Sequence, residues 1–305
     1  MQIYLPVAGM SVNILFVVLL GGGVGVLSGM FGVGGGFLTT PLLIFYGVPP
    51  AVAAASAATQ VTGASVSGVI AHWNRAGVDV PMGAFLAGGG VIGTIAGAGI
   101  FRFLEGIGQI DTAIALLYLV LLGTVGSLMA RDAIKAIRQG ETAGVASSSR
   151  LHHHPLIASL PFRYRFNRSG VFLSPLAPIL LGFVGGILTV LLGVGGGFIM
   201  VPAMIYLLGM AARVVVGTSL LQILVVTAVT TFVHAVTTKS VDIVLAVLLL
   251  LGGVFGAQAG ARLATRLPAA KLRLALAAIV LIVAFRMFLE LLFRPAEIYT
   301  IELLK

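Results

Sequence analysis

The chain has no cysteine and very little charge for its length. Only 9% of its 305 residues are Asp, Glu, Lys or Arg, whereas a soluble domain carries about 25%. The absence of cysteine excludes disulfides, thiolate chemistry and cysteine-based metal sites. The scarcity of charge excludes an ordinary soluble domain.

Apolar sequence takes the place of the missing charge, since 59% of the residues are hydrophobic. Apolar runs of about 20 residues recur from end to end, and each is long enough to cross the hydrocarbon core of a bilayer. The net charge of +9 comes from basic residues in the loops between these runs, which indicates membrane orientation and no nucleic-acid partner. The first ten residues lack the basic segment of a cleavable signal, so the run at 11–31 is predicted to be a permanent span. The sequence predicts an all-α polytopic membrane protein.

The apolar sequence is duplicated. Gly32–Phe37 (GVGGGF) followed by Pro41 recurs as Gly193–Phe198 followed by Pro202. The matches continue along both copies at an offset that drifts only from 161 to 163 residues, and they pair Gln60 with Gln222, His72 with His234, Asp79 with Asp242, and GGVIGTIAG at Gly89–Gly97 with GGVFGAQAG at Gly252–Gly260. Such an ordered series indicates an internal repeat. We therefore divide the chain into a first transmembrane repeat at 1–130, a basic connecting loop at 131–174, and a second repeat at 175–305.

Positive charge decides between two topologies. The short segments 37–48 and 197–209 can each enter the membrane and leave it on the same side, which gives each repeat four crossings and makes the repeats parallel. Alternatively, each short segment can cross the membrane completely, which gives each repeat five crossings and makes the repeats inverted. The seven basic residues of 131–174 place that loop in the cytoplasm, and the inverted scheme puts more of the remaining Lys and Arg on the same side. We expect two inverted-topology repeats, with about eight long transmembrane helices plus two short broken or re-entrant helices after the GVGGG motifs.

The two GVGGG motifs are predicted to form an anion site. A glycine-rich break before a short helix presents backbone N–H groups and the positive end of the helix dipole, and glycine lets an anion approach closely. The candidate residues are Gly34, Gly35, Gly36, Gly195, Gly196 and Gly197. The alternative is close helix packing by small residues, which we prefer for GGVIGTIAG and GGVFGAQAG. A nucleotide-binding P-loop is excluded because no Lys-Ser/Thr follows the glycines.

Polar side chains inside apolar spans are further candidates for the substrate site. Ser56 and Gln60 are four residues apart, as are Thr218 and Gln222, so each pair shares a helix face. A glutamine amide can donate to a sulfonate or sulfite oxygen while it stays neutral. The alternative for these residues is hydrogen bonding between helices.

Histidine and basic residues near the ends of the same helices are candidates for a proton or anion path. His72 and Arg75 end one span, and His234 and Lys239 end its counterpart. Histidine titrates near neutral pH, and each cation can draw an anion toward one mouth. Interfacial placement of the histidines and snorkelling of Arg75 and Lys239 are the alternatives.

Other polar features are assigned structural roles. Asp79 and Asp242 open spans and are predicted N-caps. Paired carboxylates are missing from mid-span positions, so neither a cation site nor any other metal or cofactor site is expected. His152–His154 is interpreted as a solvated tract, and PFRYRFNR at Pro161–Arg168 as an interfacial segment on anionic lipid. An intramembrane enzyme is disfavoured because Ser56 and Ser219 lie about 23 Å from the histidines of their own helices.

The doubled GxGGGxxxxP element, the chain length and the basic central loop resemble the TauE/SafE family of membrane permeases. The resemblance covers 12–130 and 175–292, and it implies a multi-pass protein of a bacterial-type inner membrane that transports sulfite or an organosulfur anion. It also implies that Gly34–Gly36 and Gly195–Gly197 lie around the translocation path. The central loop is longer than expected for the family.

From residues and resemblance together, we expect a secondary transporter that exports a small sulfur-containing anion, with sulfite as the first candidate, by alternating access. An anion leaving a negative-inside cell gains about 2.3 kcal/mol per charge per 100 mV, so export needs no ATP. The alternative is uptake of an organosulfonate or other small anion coupled to H⁺. The oligomeric state is left open.

Overall fold

The computed structural model describes residues 2–31, 34–73, 77–138, 164–166, 168–210, 212–264 and 269–292. Arg75, the tract His152–His154 and most of the connecting loop lie outside these residues.

Within the described residues the chain forms ten helices, eight of 17 to 29 residues and two of ten residues. They are α1 (Ile14–Phe31), α2 (Gly36–Phe45), α3 (Pro50–Trp73), α4 (Val80–Gly106), α5 (Ile110–Arg138), α6 (Leu176–Leu192), α7 (Gly197–Tyr206), α8 (Ala212–Thr237), α9 (Ile243–Ala264) and α10 (Ala269–Leu292). Five of them contain a window long and apolar enough to span a membrane, and shorter apolar helices accompany these. The protein is a polytopic, essentially all-α membrane protein. The short helices α2 and α7 directly follow the glycine motifs and are about 15 Å long, half the hydrocarbon thickness.

Two β-hairpins precede α1 and α6. One pairs β1 (Gln2–Leu5) with β2 (Met10–Asn13), and the other pairs β3 (Tyr164–Phe166) with β4 (Val171–Leu173), both antiparallel. The first apolar run, predicted at about 11–31, is a helix over Ile14–Phe31, and residues 11–13 complete a strand before it. The described residues of PFRYRFNR, 164–166 and Arg168, form part of the second hairpin, and the contact of this segment with anionic lipid stays a prediction.

The hairpins belong to the repeat. Gly9 and Gly170 both have φ of +67°, and their N–H groups donate to Leu5 O and Phe166 O, both at 2.9 Å. The repeated unit therefore begins with a short hairpin, which precedes the long apolar run of each repeat.

The two repeats are interleaved in space. α1 of the first repeat packs along α9 of the second, and α4 of the first packs along α6 of the second. We call α1, α3 and α9 the first bundle, and α4, α6 and α8 the second bundle. A Cβ on Gly25 would lie 2.4 Å from Gly253 O, and one on Gly89 would lie 2.0 Å from Ile179 O. The GGVIGTIAG and GGVFGAQAG segments thus serve close helix packing, as predicted.

The helix directions follow from contacts along each pair. α3 and α8, which are counterparts in the repeat, run antiparallel where they pack, because Thr59 Oγ1 lies 3.3 Å from Thr231 Oγ1 and Thr62 Oγ1 donates to Thr227 Oγ1 at 2.9 Å. α4 and α8 run parallel. Gly83 faces Leu221 near their starts, and the ring of Phe101 lies 4.9 Å from the ring of His234 near their ends.

Asp79 and Asp242 cap α4 and α9, which confirms their predicted roles. The Met82 N–H donates to Asp79 Oδ1 at 3.2 Å, and the Leu245 N–H donates to Asp242 Oδ1 at 3.1 Å. The second oxygen of each carboxylate accepts from a hairpin of the other repeat: Asp79 from the N–H and hydroxyl of Ser169, and Asp242 from the N–H of Val7. Each hairpin thereby holds its own bundle together across the repeat boundary.

We expect Ser169→Ala to lower the free energy of unfolding by about 1–3 kcal/mol, because it removes a hydroxyl that donates to a buried carboxylate. Thermal unfolding in detergent micelles measures the effect. Ser67→Ala is the matched control, since the Ser67 hydroxyl donates to Ala64 O on an exposed face, and its change should stay within about 0.5 kcal/mol. Equal losses in both variants would contradict the role of the hairpin.

Candidate functional site

The glycine motifs form two sharp loops that begin the short helices. Gly34 and Gly35 have φ of +81° and +54°, and Gly195 and Gly196 have φ of +71° and +77°, a region that L side chains rarely adopt. Gly35 and Gly196 are the N-cap residues of α2 and α7, and neither helix start has a side-chain cap. The first-turn amides of α2 and α7 therefore carry the positive end of a short helix without a capping side chain.

The two loops meet where α3 crosses α8. A Cβ on Gly36 would lie 2.7 Å from Gly193 O and 2.8 Å from Val61 Cγ2. A Cβ on Gly195 would lie 2.7 Å from Val61 Cγ1 and 3.1 Å from Ile223 Cγ2. Val61 and Ile223 are counterparts in the repeat, and both are buried. The structure thus brings the two predicted glycine elements together at one point.

An aromatic pair closes this meeting point. Phe37 and Phe198, the first residues after the glycines, stack with ring centroids 4.4 Å apart and planes 5° apart. Both rings are buried. Neither residue was among the sequence predictions, although the repeated GGGF motif marks both.

The two predicted glutamines have different surroundings. Gln60 Oε1 accepts from Thr39 Oγ1 at 3.0 Å, and Gln60 Nε2 donates to Leu249 O at 3.4 Å. Gln222 is fully buried, and neither Nε2 nor Oε1 has a hydrogen-bond partner among the described residues. A buried polar group without a partner costs about 1–3 kcal/mol. Gln222 Nε2 lies 3.8 Å from the position of a Cβ on Gly196, so this amide faces the start of α7.

Hydroxyl groups beside the loops were missed by the sequence analysis. Thr39 Oγ1 contacts Gln60, and Thr40 Oγ1 donates to Leu192 O at 3.1 Å. The same Leu192 carbonyl also accepts from the Tyr118 hydroxyl. Thr189 Oγ1 lies 3.5 Å from the Cβ position of Gly196. The signal for Thr39 and Thr40 was their place directly after the glycine motif in a helix of ten residues.

Ser56 and Thr218 lie at the helix caps of their bundles. The Asp242 N–H donates to Ser56 Oγ at 3.2 Å, and the Asp79 N–H donates to Thr218 Oγ1 at 3.0 Å. Both hydroxyls are buried in these contacts. Their geometry favours helix pairing, the alternative considered for these residues.

The residues predicted for a proton or anion path lie at helix ends. His234 is buried, with Nε2 3.0 Å from Val190 O and Nδ1 3.1 Å from Thr238 Oγ1. His72 is half-buried near the end of α3, and Lys239 is exposed in the turn after α8 with φ of +51°. Arg75 is outside the described residues. His234 is twelve residues from Gln222, about 18 Å along α8, and does not contact the glycine loops directly.

The chemistry of the meeting point suits an anion. It offers backbone amides at two helix starts and the neutral side-chain amide of Gln222. The described residues that form it include no Asp or Glu. Such donors stabilise negative charge in a site of low dielectric constant.

We expect Gly195→Ala to destabilise the protein by about 1–3 kcal/mol, because its φ is left-handed and the new Cβ would clash with Val61. Gly88→Ala is the control. It lies in α4 with nothing within 4 Å of its Cβ position, and alanine is the better helix former by about 1 kcal/mol. Thermal unfolding in micelles compares them, and a Gly195→Ala protein as stable as Gly88→Ala would refute the described loop packing.

Comparison with known proteins agrees with this architecture. The sequence profile described as sulfite exporter TauE/SafE matches residues 17–287. The chain is 28% identical over 281 residues to the probable membrane transporter protein YjnA of Bacillus subtilis (strain 168), covering 90% of this chain and 98% of that protein. It is 31% identical over 265 residues to a probable membrane transporter protein of Xylella fastidiosa (strain Temecula1 / ATCC 700964), covering 86% and 89%. No solved structure is significantly similar.

The relatives are named as transporters, which confirms the prediction that the chain is not an enzyme. The profile match spans most of the chain and both glycine motifs. The chain therefore belongs to the sulfite exporter TauE/SafE family of membrane transporters.

Proposed function

We propose that the protein is a secondary transporter that exports a small sulfur-containing anion, sulfite foremost, by alternating access. The observation that carries the proposal is the meeting of two glycine loops at the crossing of α3 and α8, with the unpartnered amide of Gln222 beside them. Broken helices whose N-termini meet near mid-membrane are a recurrent way to bind an anionic substrate in transporters.

The choice of a sulfur anion rests on the family description, which names sulfite export. The site itself supports a small oxyanion, because backbone and side-chain N–H groups match oxygen acceptors and the loops leave little room for a large substrate. The outward direction is favoured by the membrane potential, which contributes about 2.3 kcal/mol per negative charge per 100 mV.

We further propose that the two repeats, whose apolar runs lie within 1–130 and 175–305, have inverted topology, with the connecting loop 131–174 in the cytoplasm of a bacterial-type inner membrane. Antiparallel packing of α3 against α8 supports this, because counterpart helices of parallel repeats would run in the same direction. Parallel packing of α4 with α8 supports it too, since a scheme of four crossings per repeat makes them antiparallel.

Alternating access then takes place between the bundles. The hairpin–carboxylate contacts hold each bundle together, whereas the first and second bundles meet through α3, α8, the glycine loops and the Phe37–Phe198 stack. Sliding along the α3–α8 crossing would part the stacked rings on one side of the membrane at a time. The substrate would then be passed between the loops without an open pore.

Uptake of an organosulfonate coupled to H⁺ is the second candidate. The observation that favours it is the buried position of His234, where a carbonyl and a hydroxyl flank the two ring nitrogens. An inwardly directed proton gradient should then accelerate uptake of a labelled alkanesulfonate into proteoliposomes, and no such acceleration is expected of an exporter.

The function is tested by flux of isotopically labelled sulfite from proteoliposomes under an imposed potassium diffusion potential. We expect efflux to rise when the interior is negative, to be retained in Gly88→Ala, and to fall at least tenfold in Gly36→Leu, whose side chain would fill the meeting point. Size-exclusion chromatography checks that each variant is monodisperse. Absence of flux in the wild type would reject sulfite, and normal flux in Gly36→Leu would reject the site.

The topology is tested with single cysteines, for which the cysteine-free chain is a ready background. Gln109 and Lys239 are exposed in the turns after α4 and α8. Inverted repeats place both turns on one side, so Gln109→Cys and Lys239→Cys should react with an impermeant thiol reagent from the same face. Labelling from opposite faces would establish parallel repeats instead.

A further inference from the structure

The Oε1 atoms of the two counterpart glutamines have different surroundings because one residue of the repeat differs. Thr39 gives its hydroxyl hydrogen to Gln60 Oε1. At the offset of 161 residues, the counterpart of Thr39 is Met200, whose side chain has no proton to donate. Gln222 Oε1 therefore lacks the partner that Gln60 Oε1 has, and its Nε2 has no partner among the described residues either. The surroundings of Gln60 and Gln222 are therefore not symmetric, although both glutamines lie near the starts of the short helices.

Two more unpartnered hydroxyls continue from Gln222 along the second bundle. Thr94 of α4 and Thr230 of α8 are fully buried, and their hydroxyls lack partners among the described residues. The Cβ position of Gly90, one turn before Thr94, lies 3.6 Å from Gln222 Nε2. Since α4 and α8 run parallel from Gly90 to the Phe101–His234 contact, both threonines lie between the levels of Gln222 and His234.

The first bundle has no equivalent series. The counterparts of Thr94 and Thr230 are Ala257 and Gly68, which have no hydroxyl. Ser65 of α3 is the one other side chain in the described residues with an unpartnered buried hydroxyl, and its counterpart Thr227 donates to Ile223 O. A buried polar file is thus confined to the second bundle.

We infer that the anion-binding position is asymmetric: it is built on Gln222, and it is reached along a hydrated file past Thr94 and Thr230 toward His234. Gln60 is a positioning residue that ties α2 to α9 through Thr39 and Leu249. The inference rests on the proposed transport function and assigns its substrate contact to one bundle.

The amide of Gln222 also defines the chemical class of the ligand. Its Nε2 donates and its Oε1 accepts, so a small oxyanion that carries one proton satisfies both atoms at once. A fully deprotonated dianion has no proton to donate and would leave Oε1 without a partner. The ligand class is therefore a monoprotonated oxyanion, of which hydrogensulfite is one member.

The first experiment compares Gln222→Leu with Gln60→Leu in the full-length protein in lipid nanodiscs. Without ligand, Gln222→Leu should keep or raise Tm, because it removes an unpartnered amide, whereas Gln60→Leu should lower Tm by several degrees. Calorimetric titration with sodium sulfite should show at least tenfold weaker binding in Gln222→Leu. Met200→Thr, which supplies Gln222 with a donor, should weaken sulfite binding as well, and the loss of the buried Met200 side chain should lower Tm.

The outcomes separate the two claims. A Tm loss in Gln222→Leu equal to that in Gln60→Leu, or sulfite binding unchanged by Gln222→Leu, would overturn the asymmetric site. If the wild type does not bind sulfite while the Tm differences are as expected, sulfite is rejected as the substrate and the unpartnered state of the Gln222 amide is supported.

The second experiment tests the file without any substrate. Thr94→Cys and Thr230→Cys should react with an impermeant methanethiosulfonate reagent at least tenfold faster than Leu122→Cys, a position equally buried but in an apolar cluster. Reaction of all three at the same slow rate would overturn the hydrated file, whatever the substrate is.

Discussion

The structure depends on one constraint: a backbone polar group exposed to lipid costs several kcal/mol, so a transmembrane chain can break its helices only inside the protein. The glycine loops at 34–36 and 193–197 are such breaks, and both are buried at the crossing of α3 and α8. Their left-handed glycines turn the chain abruptly, and their contacts with Val61 and Ile223 keep lipid away. The short helices can therefore begin in mid-protein and direct their N-terminal amides at one point.

Burying that point requires the helices around it to come unusually close. The glycines of α1, α4, α6 and α9 allow backbone contact between helices from different repeats, which produces the interleaved bundles. The bundles are completed by polar contacts at their ends, where Asp79 and Asp242 accept from hairpins of the opposite repeat. Rigid bundles that meet at a loop-lined interface are well suited to move against each other. The buried carboxylate contacts lie inside each bundle, whereas the α3–α8 crossing between the bundles is bridged by the hydroxyl pairs Thr59–Thr231 and Thr62–Thr227.

Much of this fold was predictable from the sequence. The remainder could not be predicted, and the causes are physical. Local sequence was enough to predict the duplication, the glycine breaks, the short helices and the two Asp caps, because each depends on a few neighbouring residues. The hairpins were missed because hydrophobicity, the signal used to place the spans, does not mark strands of three or four residues. Contacts between distant segments determine the partners of Ser56 and Thr218. Such contacts also make the surroundings of Gln60 and Gln222 different, which the alignment of two identical residues does not reveal. The substitution of Thr39 by Met200 was visible in the aligned repeats, but its meaning required the geometry.

The central claim is that the anion binds where the starts of α2 and α7 meet, beside Gln222. Anomalous diffraction from crystals grown with selenite, a heavier oxyanion of the same shape as sulfite, tests it most directly. The account predicts one strong selenium peak within hydrogen-bonding distance of Gln222 Nε2 and the first-turn amides of α7. A strong peak elsewhere, for example in the basic depression lined by Arg131, Lys135 and Arg138, with none between the glycine loops, would contradict it.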